Sequence, residues 1–376
     1  MRIGVNTRFL LNGKLEGIGW FTYETMRRIV KAHPEHDFVF FFDRPFDRQF
    51  VFEDNVKPVV VYPPARAPFL WKLWFDTTLP YYLKKYNIDA FISPDGYCSL
   101  NTVIPQLMVL HDLAFEHGSF GLPKNVMNFY KTRVPQFVEK AKRIVTVSNF
   151  SKQDIIDQYQ TKTPIDVIYN GFNNDFDILS DELKLEVRNR ITNGDPYYLY
   201  VGAIHPRKNV LRLLKAFETF KENDQLNYKL LLVGRSAWAN NDLDLFYNKM
   251  KFKEDVVFLS HLAFEELKEV IGAAEVLFYP SIFEGFGIPI LEGMSSGVPV
   301  VTSNTSSMPE VGGDAALFID PFSEKDILEK MNLLSKNVDI KKDMIKKGCI
   351  QKDKFSWDKA AEELWVSIDK MINNED

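Results

Sequence analysis

The chain has 376 residues, 45 % hydrophobic and 26 % charged, with a net charge of −5. That length exceeds one ordinary domain and fits two of roughly 150–200 residues, each able to bury its own core, and no apolar run approaches the ~20 residues of a membrane-crossing helix. The charge is uneven: residues 1–170 carry a net +4 and the remainder a net −9, which suits an anionic partner for the first half, such as a headgroup-bearing acceptor, or an ordinary solvated surface.

The opening "MRIGVNTRFL" reads as a strand, not as the basic and apolar regions of a secretory leader, so a cytoplasmic protein is expected. Cys98 and Cys349 have no CxxC spacing and read as reduced, mostly buried thiols. Short apolar runs alternate with amphipathic stretches, as buried parallel strands alternate with helices. They are "IGVN", "DFVFFF", "VKPVVVY", "DAFISP", "QLMVLHD", "RIVTVS" and "IDVIYNG", then "YYLYVG", "YKLLLVG", "DVVFLS", "EVLFYPS", "GVPVVTS" and "AALFID". Helices are predicted over 20–32, 70–85, 126–142, 210–222, 264–274 and 327–334. The alternation lapses in the polar, acidic stretch 172–196, which places a domain seam there. The expected class is α/β, with two facing Rossmann-like, doubly wound domains and a deep cleft between them. The apolar stripe Trp357, Ala360, Ala361, Leu364, Trp365 and Ile368 predicts a C-terminal helix that packs back across the hinge, or lies only on its own domain.

In open α/β sheets ligands bind at the carboxyl ends of the strands, so the residues there come first. Gly17 and Gly19 open the first helix and bring its amides within reach of a phosphate, or simply form a tight turn; Thr22 stands where a dinucleotide fingerprint needs its third glycine. The stretch 62–86 interleaves Arg66, Lys72, Lys84 and Lys85 with Phe69, Trp71, Trp74, Phe75, Tyr81 and Tyr82. It is suited either to a membrane interface or to an aromatic face buried on the sheet. His111 ends an apolar strand, followed by Asp112, and is able to donate or accept hydrogen bonds at a reacting sugar or to serve as a structural histidine. "SNFSKQDI" reads as an N-capped helix start, with Ser148, Ser151 and Lys152, and "YNGF" supplies Asn170 and Gly171; both are read as scaffold.

In the second half a strand ends at Gly202, and Arg207 and Lys208 follow in "GAIHPRKN", where their charges would neutralise a diphosphate leaving group without a metal. "DFD" at 175–177 and "DLD" at 242–244 are the DxD patterns a metal-dependent transferase would need, and the second is explained by a helix dipole. "EGFGIPILE" carries Glu284 before a helix and Glu292 about one turn inside it, with Pro289 in the first turn. Gly285 and Gly287 leave amides at the positive end of that helix. The two carboxylates suit acceptance of sugar hydroxyl hydrogen bonds, or else are helix-start glutamates held by the dipole.

Taken in order and spacing, "GIG", "HDL", "VSNFSKQDI", "YNGF", "GAIHPRKN", "EGFGIPILE" and "SSGVPVVTSNTSSMPEVGGDAALFIDP" resemble the GT-B retaining glycosyltransferases of family 4 (glycosyl transferases group 1, with many mannosyltransferases) nearly end to end. The resemblance implies an N-terminal acceptor-binding domain over 1–175, a nucleotide-sugar-binding domain over 176–356 and a C-terminal helix over 357–376. It implies a diphosphate against Arg207, Lys208 and the amides after Gly17 and Gly285. Gly19, Gly202, Phe286, Gly287 and Ile288 would belong to the same donor site, with Glu292 on the ribose and Glu284 on the transferred sugar. His111 would reach that sugar, and the base would pack near His261 and Leu262. Where many relatives have arginine directly after the strand's glycine, this chain has Ala203. The implied catalytic set is therefore His111, Arg207, Lys208 and Glu284, with no metal and no cofactor beyond the nucleotide-sugar co-substrate.

The expected reaction is hexose transfer with retention, GDP-mannose favoured, to a saccharide or lipid-linked saccharide in bacterial polysaccharide assembly. A front-face substitution is expected, in which the departing phosphate deprotonates the acceptor. Peripheral membrane contact through 62–86 is a further expectation, and nucleic acid is not an expected partner. The alternative is a catalytically inactive nucleotide-sugar-binding or assembly protein.

Overall fold

The computed structural model describes residues 1–118, 120–173, 175–223, 226–235, 241–260 and 262–375. Each predicted apolar run forms a strand. They are β1 (Arg2–Asn6), β2 (Asp37–Phe42), β3 (Val56–Val60), β4 (Ala90–Ser93), β5 (Gln106–Val109), β6 (Arg143–Thr146), β7 (Ile165–Val167), β8 (Tyr197–Val201), β9 (Lys229–Val233), β10 (Val256–Leu259), β11 (Val276–Tyr279), β12 (Val300–Ser303) and β13 (Ala316–Ile319). They build two sheets, in the orders β3-β2-β1-β4-β5-β6-β7 and β10-β9-β8-β11-β12-β13, and every pairing is parallel. Such strands are apolar throughout because helices cover both faces: in "DFVFFF" only Asp37 is exposed.

The chain divides into two compact units. The first is Met1–Gly171 together with the chain from Ser356 onward, and the second is Phe172–Phe355. In each sheet the strands run outward from a first strand and then resume on its other side. The carboxyl ends of β1 and β4, and of β8 and β11, are therefore topological switch points, where crossovers diverge and leave a crevice. The first core packs Trp74, Phe75, Leu79 and Leu83 on one face of the sheet, with Phe137 and Val138 in the same cluster. The second joins Leu213, Phe217 and Phe220 to Ile327, Met331 and Leu334.

The predicted C-terminal helix spans Trp357–Asn373 and packs within the first unit against the helix Gly17–Ala32. Trp357 meets Phe21 edge-on at 6.3 Å, Arg28 pairs with Asp358, and the His33 ring stacks on Trp365 at 3.6 Å. Gly171 lies so close to this helix that a Cβ would sit 2.2 Å from the Trp357 nitrogen. The glycine of "YNGF" is thus required where the chain leaves the unit and re-enters it.

Some helices differ from their sequence patterns. The acidic stretch carries a helix, Asp181–Thr192, capped by the Ser180 hydroxyl. Its Leu183 and Leu185 are exposed, which blurs the apolar stripe that would have announced it. A helix at Val338–Lys352 buries only Met344, Gly348 and Gln351 and has little apolar periodicity for the same reason. The aromatic stretch is helical through Pro68–Leu73, Trp74–Thr78 and Leu79–Lys85, the middle turn being wider than an α-turn. No described helix is long and apolar enough to cross a membrane.

Candidate functional site

The switch point of the second unit collects the basic loop and the acidic turn. After β8 the chain turns at Gly202 (φ 149°) and enters a single helical turn, Pro206–Lys208. His205 precedes that turn, and its Nδ1 accepts from the Arg207 amide at 3.2 Å. Burial first, then the Arg207 and Lys208 charges, depress its pKa to about 4, so the ring is neutral at pH 7. Asn209, in the left-handed region at φ 63°, closes the turn by donating to the carbonyls of Pro280 (3.0 Å) and Pro321 (2.6 Å). The Ile282 amide donates to the Arg207 carbonyl at 2.8 Å and ties this loop to the one after β11.

The two loops meet in a charge cluster. Lys208 Nζ donates to Glu284 Oε1 at 2.6 Å and to the Tyr279 hydroxyl at 2.7 Å. Arg207 Nη1 donates to Glu284 Oε2 at 2.9 Å and to the Phe283 carbonyl at 2.6 Å. Burial would raise the Glu284 pKa, but the two cations overcome it and bring the carboxyl down to about 2. The expectation that Glu284 waits as a hydroxyl acceptor therefore needs amendment: both its oxygens already hold the basic pair.

A clamp that the sequence reading did not single out fixes this turn. The Thr305 hydroxyl donates to Ile282 O (3.0 Å), and the Ser306 hydroxyl accepts from the Glu284 amide (3.0 Å). The Ser307 hydroxyl reaches the carbonyls of Glu284 (2.9 Å) and Phe286 (2.8 Å). Ser306 is held at φ 53°, a conformation that costs free energy in a non-glycine residue and persists where the surroundings over-determine it. The signal was present as the hydroxyls of "NTSS" after β12, but only the fold reveals which backbone they serve.

Gly287 (φ 112°) caps the helix Ile288–Ser295, with Pro289 in its first turn. The Phe286 side chain is buried edge-on against Phe355 at 5.6 Å, so only its backbone is available to a ligand. Glu292, one turn into the helix, is half-buried, and burial pushes its carboxyl up to about 7. Among the described residues no side chain or amide donates a hydrogen bond to that carboxyl. Ala203 contributes its carbonyl, which accepts from the Tyr200 hydroxyl at 2.9 Å. Leu262 is half-buried ahead of the helix Phe264–Gly272, and His261 lies outside the described residues.

In the first unit, Gly17 begins its helix with open space where a side chain would be, whereas a Cβ on Gly19 would meet the Phe9 carbonyl at 2.8 Å. Packing therefore explains Gly19. His111, after β5, is bonded through Nε2 to the Pro94 carbonyl at 2.8 Å, and burial lowers its pKa. Asp112 accepts from the Ala114 amide at 3.0 Å. Ser148 caps the helix Asn149–Tyr159, as its sequence pattern predicts. Arg8 and Asp95, unmarked in the sequence, form a buried ion pair at 2.6 Å beside these groups. The "DLD" acids open the helix Asn241–Lys249.

Residues 181–350 match the family model described as glycosyl transferases group 1, and residues 15–176 match that of Glycosyltransferase Family 4. The chain is 28 % identical over 359 residues to O-antigen chain mannosyltransferase B of Escherichia coli, covering 92 % of this chain and 93 % of that protein. It is 29 % identical over 266 residues to O-antigen chain mannosyltransferase RfbU of Salmonella typhimurium, covering 69 % and 68 %. Among solved structures it resembles Anabaena Alr3699/HepE in complex with UDP-glucose, with TM-score 0.75, 16 % identity and coverage of 98 % and 100 %. At that identity the likeness speaks to fold alone.

Proposed function

Because the chain belongs to the GT-B glycosyltransferases of group 1 and family 4, we propose that it moves mannose from GDP-mannose, with retention, to a saccharide or lipid-linked saccharide in bacterial polysaccharide assembly. The mannosyl part rests on the O-antigen relatives. The observation that carries the reading is the Arg207–Lys208–Glu284 cluster at the switch point of the second sheet.

We assign the donor's diphosphate to Arg207 and Lys208, aided by amides around Gly285 and Gly287, and its ribose to Glu292. A diphosphate would compete with Glu284 for both cations. On donor binding, Glu284 exchanges part of its pairing with the basic residues for hydroxyl hydrogen bonds from the hexose, while the phosphate takes over the cations. The charge growing on the leaving phosphate is then met by fixed cations, and no metal is needed. In the front-face step the bond from C1 to the phosphate oxygen breaks. The acceptor oxygen bonds to C1 on the same face, and its proton passes to the departing phosphate. His111 is assigned to a hydroxyl of the transferred hexose.

Incubating the purified protein with a panel of nucleotide-sugars and an O-antigen-type acceptor in EDTA tests this reading. It expects turnover with GDP-mannose and an α-configured product by NMR. Binding without turnover would favour the inactive sugar-nucleotide binder, and activity only with added divalent cation would sink the metal-free assignment.

A lipid-linked acceptor implies contact with a bilayer, which we assign to residues 62–86. Phe69 (71 % exposed), Leu73 and Tyr81 point outward together with Arg66, Lys72, Lys84 and Lys85, whereas Asp76 is turned in onto Arg133. The exposed side chains of 62–86 are thus mainly apolar and basic with no exposed acid among them, which fits an anionic interface. Co-sedimentation with phosphatidylglycerol vesicles should fall in the Lys84→Glu/Lys85→Glu double variant. Unchanged sedimentation would remove the assignment.

A further inference from the structure

β1, β4 and β5 are neighbours in the first sheet, and their carboxyl ends deliver Arg8, Asp95 and His111 to one edge. Arg8 donates through Nε (2.9 Å) and Nη2 (2.6 Å) to Asp95 Oδ2, and the Ser93 hydroxyl donates to Oδ1 at 3.2 Å. The Asn6 amide donates to that same serine at 3.1 Å. The guanidinium is boxed by the rings of Tyr97 and Phe75, at 4.6 and 4.9 Å from their centroids. Asp95 is the centre of the tight turn Pro94–Gly96, with Gly96 at φ 80°, and Pro94 presents its carbonyl to His111 Nε2 at 2.8 Å.

A buried ion pair is poor evidence of stabilisation, because apolar residues of similar volume usually do as well; what it fixes is geometry. We infer that Arg8 and Asp95 are positioning residues. They pin the Pro94–Gly96 turn so that the Pro94 carbonyl holds the proton of His111 on Nε2, leaving Nδ1 as a hydrogen-bond acceptor. A carbonyl oxygen can only accept, so the bond at 2.8 Å selects the Nε2–H tautomer of the neutral ring. Among the described residues no other hydrogen bond engages this imidazole. Its burial favours the neutral form. His111 then accepts from a substrate hydroxyl and does not donate. The catalytic consequence rests on the reading of His111 given above; the tautomer does not.

The test is ¹⁵N NMR of imidazole-labelled protein, with the His111 signals assigned by their loss in His111→Gln, beside steady-state kinetics. The wild-type ring should show the Nε2–H tautomer, and Nδ1–H in the wild type would overturn the inference without any further variant. Asp95→Asn and Arg8→Lys should each yield a tautomer mixture and lower kcat about tenfold, in line with outer partners of functional histidines, while the KM for donor changes less than twofold. An unchanged Nε2–H signal in a folded Asp95→Asn protein would also overturn it. A tautomer mixture with unaltered kcat would leave the positioning intact and sink the hexose assignment of His111.

Discussion

The two units solve one topological problem with different electrostatics. Each sheet opens a crevice beside its first strand, and each places a carboxylate–cation pair there. In the first, Arg8 and Asp95 have side chains only 5 % and 2 % exposed and are walled by aromatic rings. In the second, Arg207 and Lys208 are 22 % and 15 % exposed around a nearly buried Glu284. A charge sealed from solvent acts on its protein neighbours, whereas one that keeps a solvent-facing side can exchange its partner for a ligand. Under the proposed function, the difference separates a residue that orients the machinery from one that touches substrate.

The sharpest way to break that contrast is Lys208→Ala. On the proposed assignment it removes a cation from the leaving group, and kcat should fall by roughly 10²–10³, as when an oxyanion donor is lost. Activity within about threefold of the parent in a radiolabelled-sugar assay would contradict the ligand-facing role. Glu284→Ala should come next, because it removes the carboxylate that both half-buried cations share. Breaking such a pair costs about 3 kcal/mol at the lower end, visible as a thermal midpoint several degrees lower by calorimetry. GDP should restore part of that loss if the diphosphate is the cations' alternative partner. At low pH the sign is fixed by the depressed pKa: Glu284 stabilises the fold fully above its ordinary 4.5, and that contribution is lost as pH falls towards about 2.

Ser307→Ala should cost about 1–2 kcal/mol in denaturant unfolding, because the one hydroxyl proton within reach of two carbonyls of the acidic turn is lost. Ser307→Thr should recover part of the loss, and a variant with parental stability and donor KM would show that the clamp is dispensable. The smallest expected effect concerns Glu292. With its pKa raised to about 7, the carboxyl gains its charge across neutrality, and on the proposed assignment the charged form would accept ribose hydroxyls better. Donor KM should improve about fivefold from pH 6 to 8, the factor equivalent to ~1 kcal/mol between charged and neutral hydrogen bonds. Glu292→Gln should flatten this profile; an unchanged slope would mean another group titrates.

The strands were legible in the chain because parallel strands covered on both faces must be apolar at nearly every position, as "DFVFFF" and "KLLLV" are. The helix Asp181–Thr192 was not, since its leucines face water and its polar positions carry the caps. The residues after β8 and β11 were legible as chemistry, Arg207, Lys208 and Glu284 being unusual at strand ends. Their mutual pairing was not, because spacing along a chain does not say which side chains of two loops meet. The clamp from Thr305 to Ser307 was hidden for the same reason: hydroxyls are common in loops, and only the crossover from β12 brings these three onto the acidic turn.

By itself the sequence determined what depends on local periodicity and strand-end composition. That covers the alternating α/β elements, the two-sheet class, the capped helix starts and the charged loops at the carboxyl edges. Only the tertiary structure decided that Glu284 is the counter-ion of the basic pair, that Phe286 turns into the core, that Gly171 makes room for the returning chain, and that Arg8 and Asp95 belong together. Each of these joins residues far apart in the chain, and which of them meet is set by how the strands order within a sheet and how side chains fill the space between the layers.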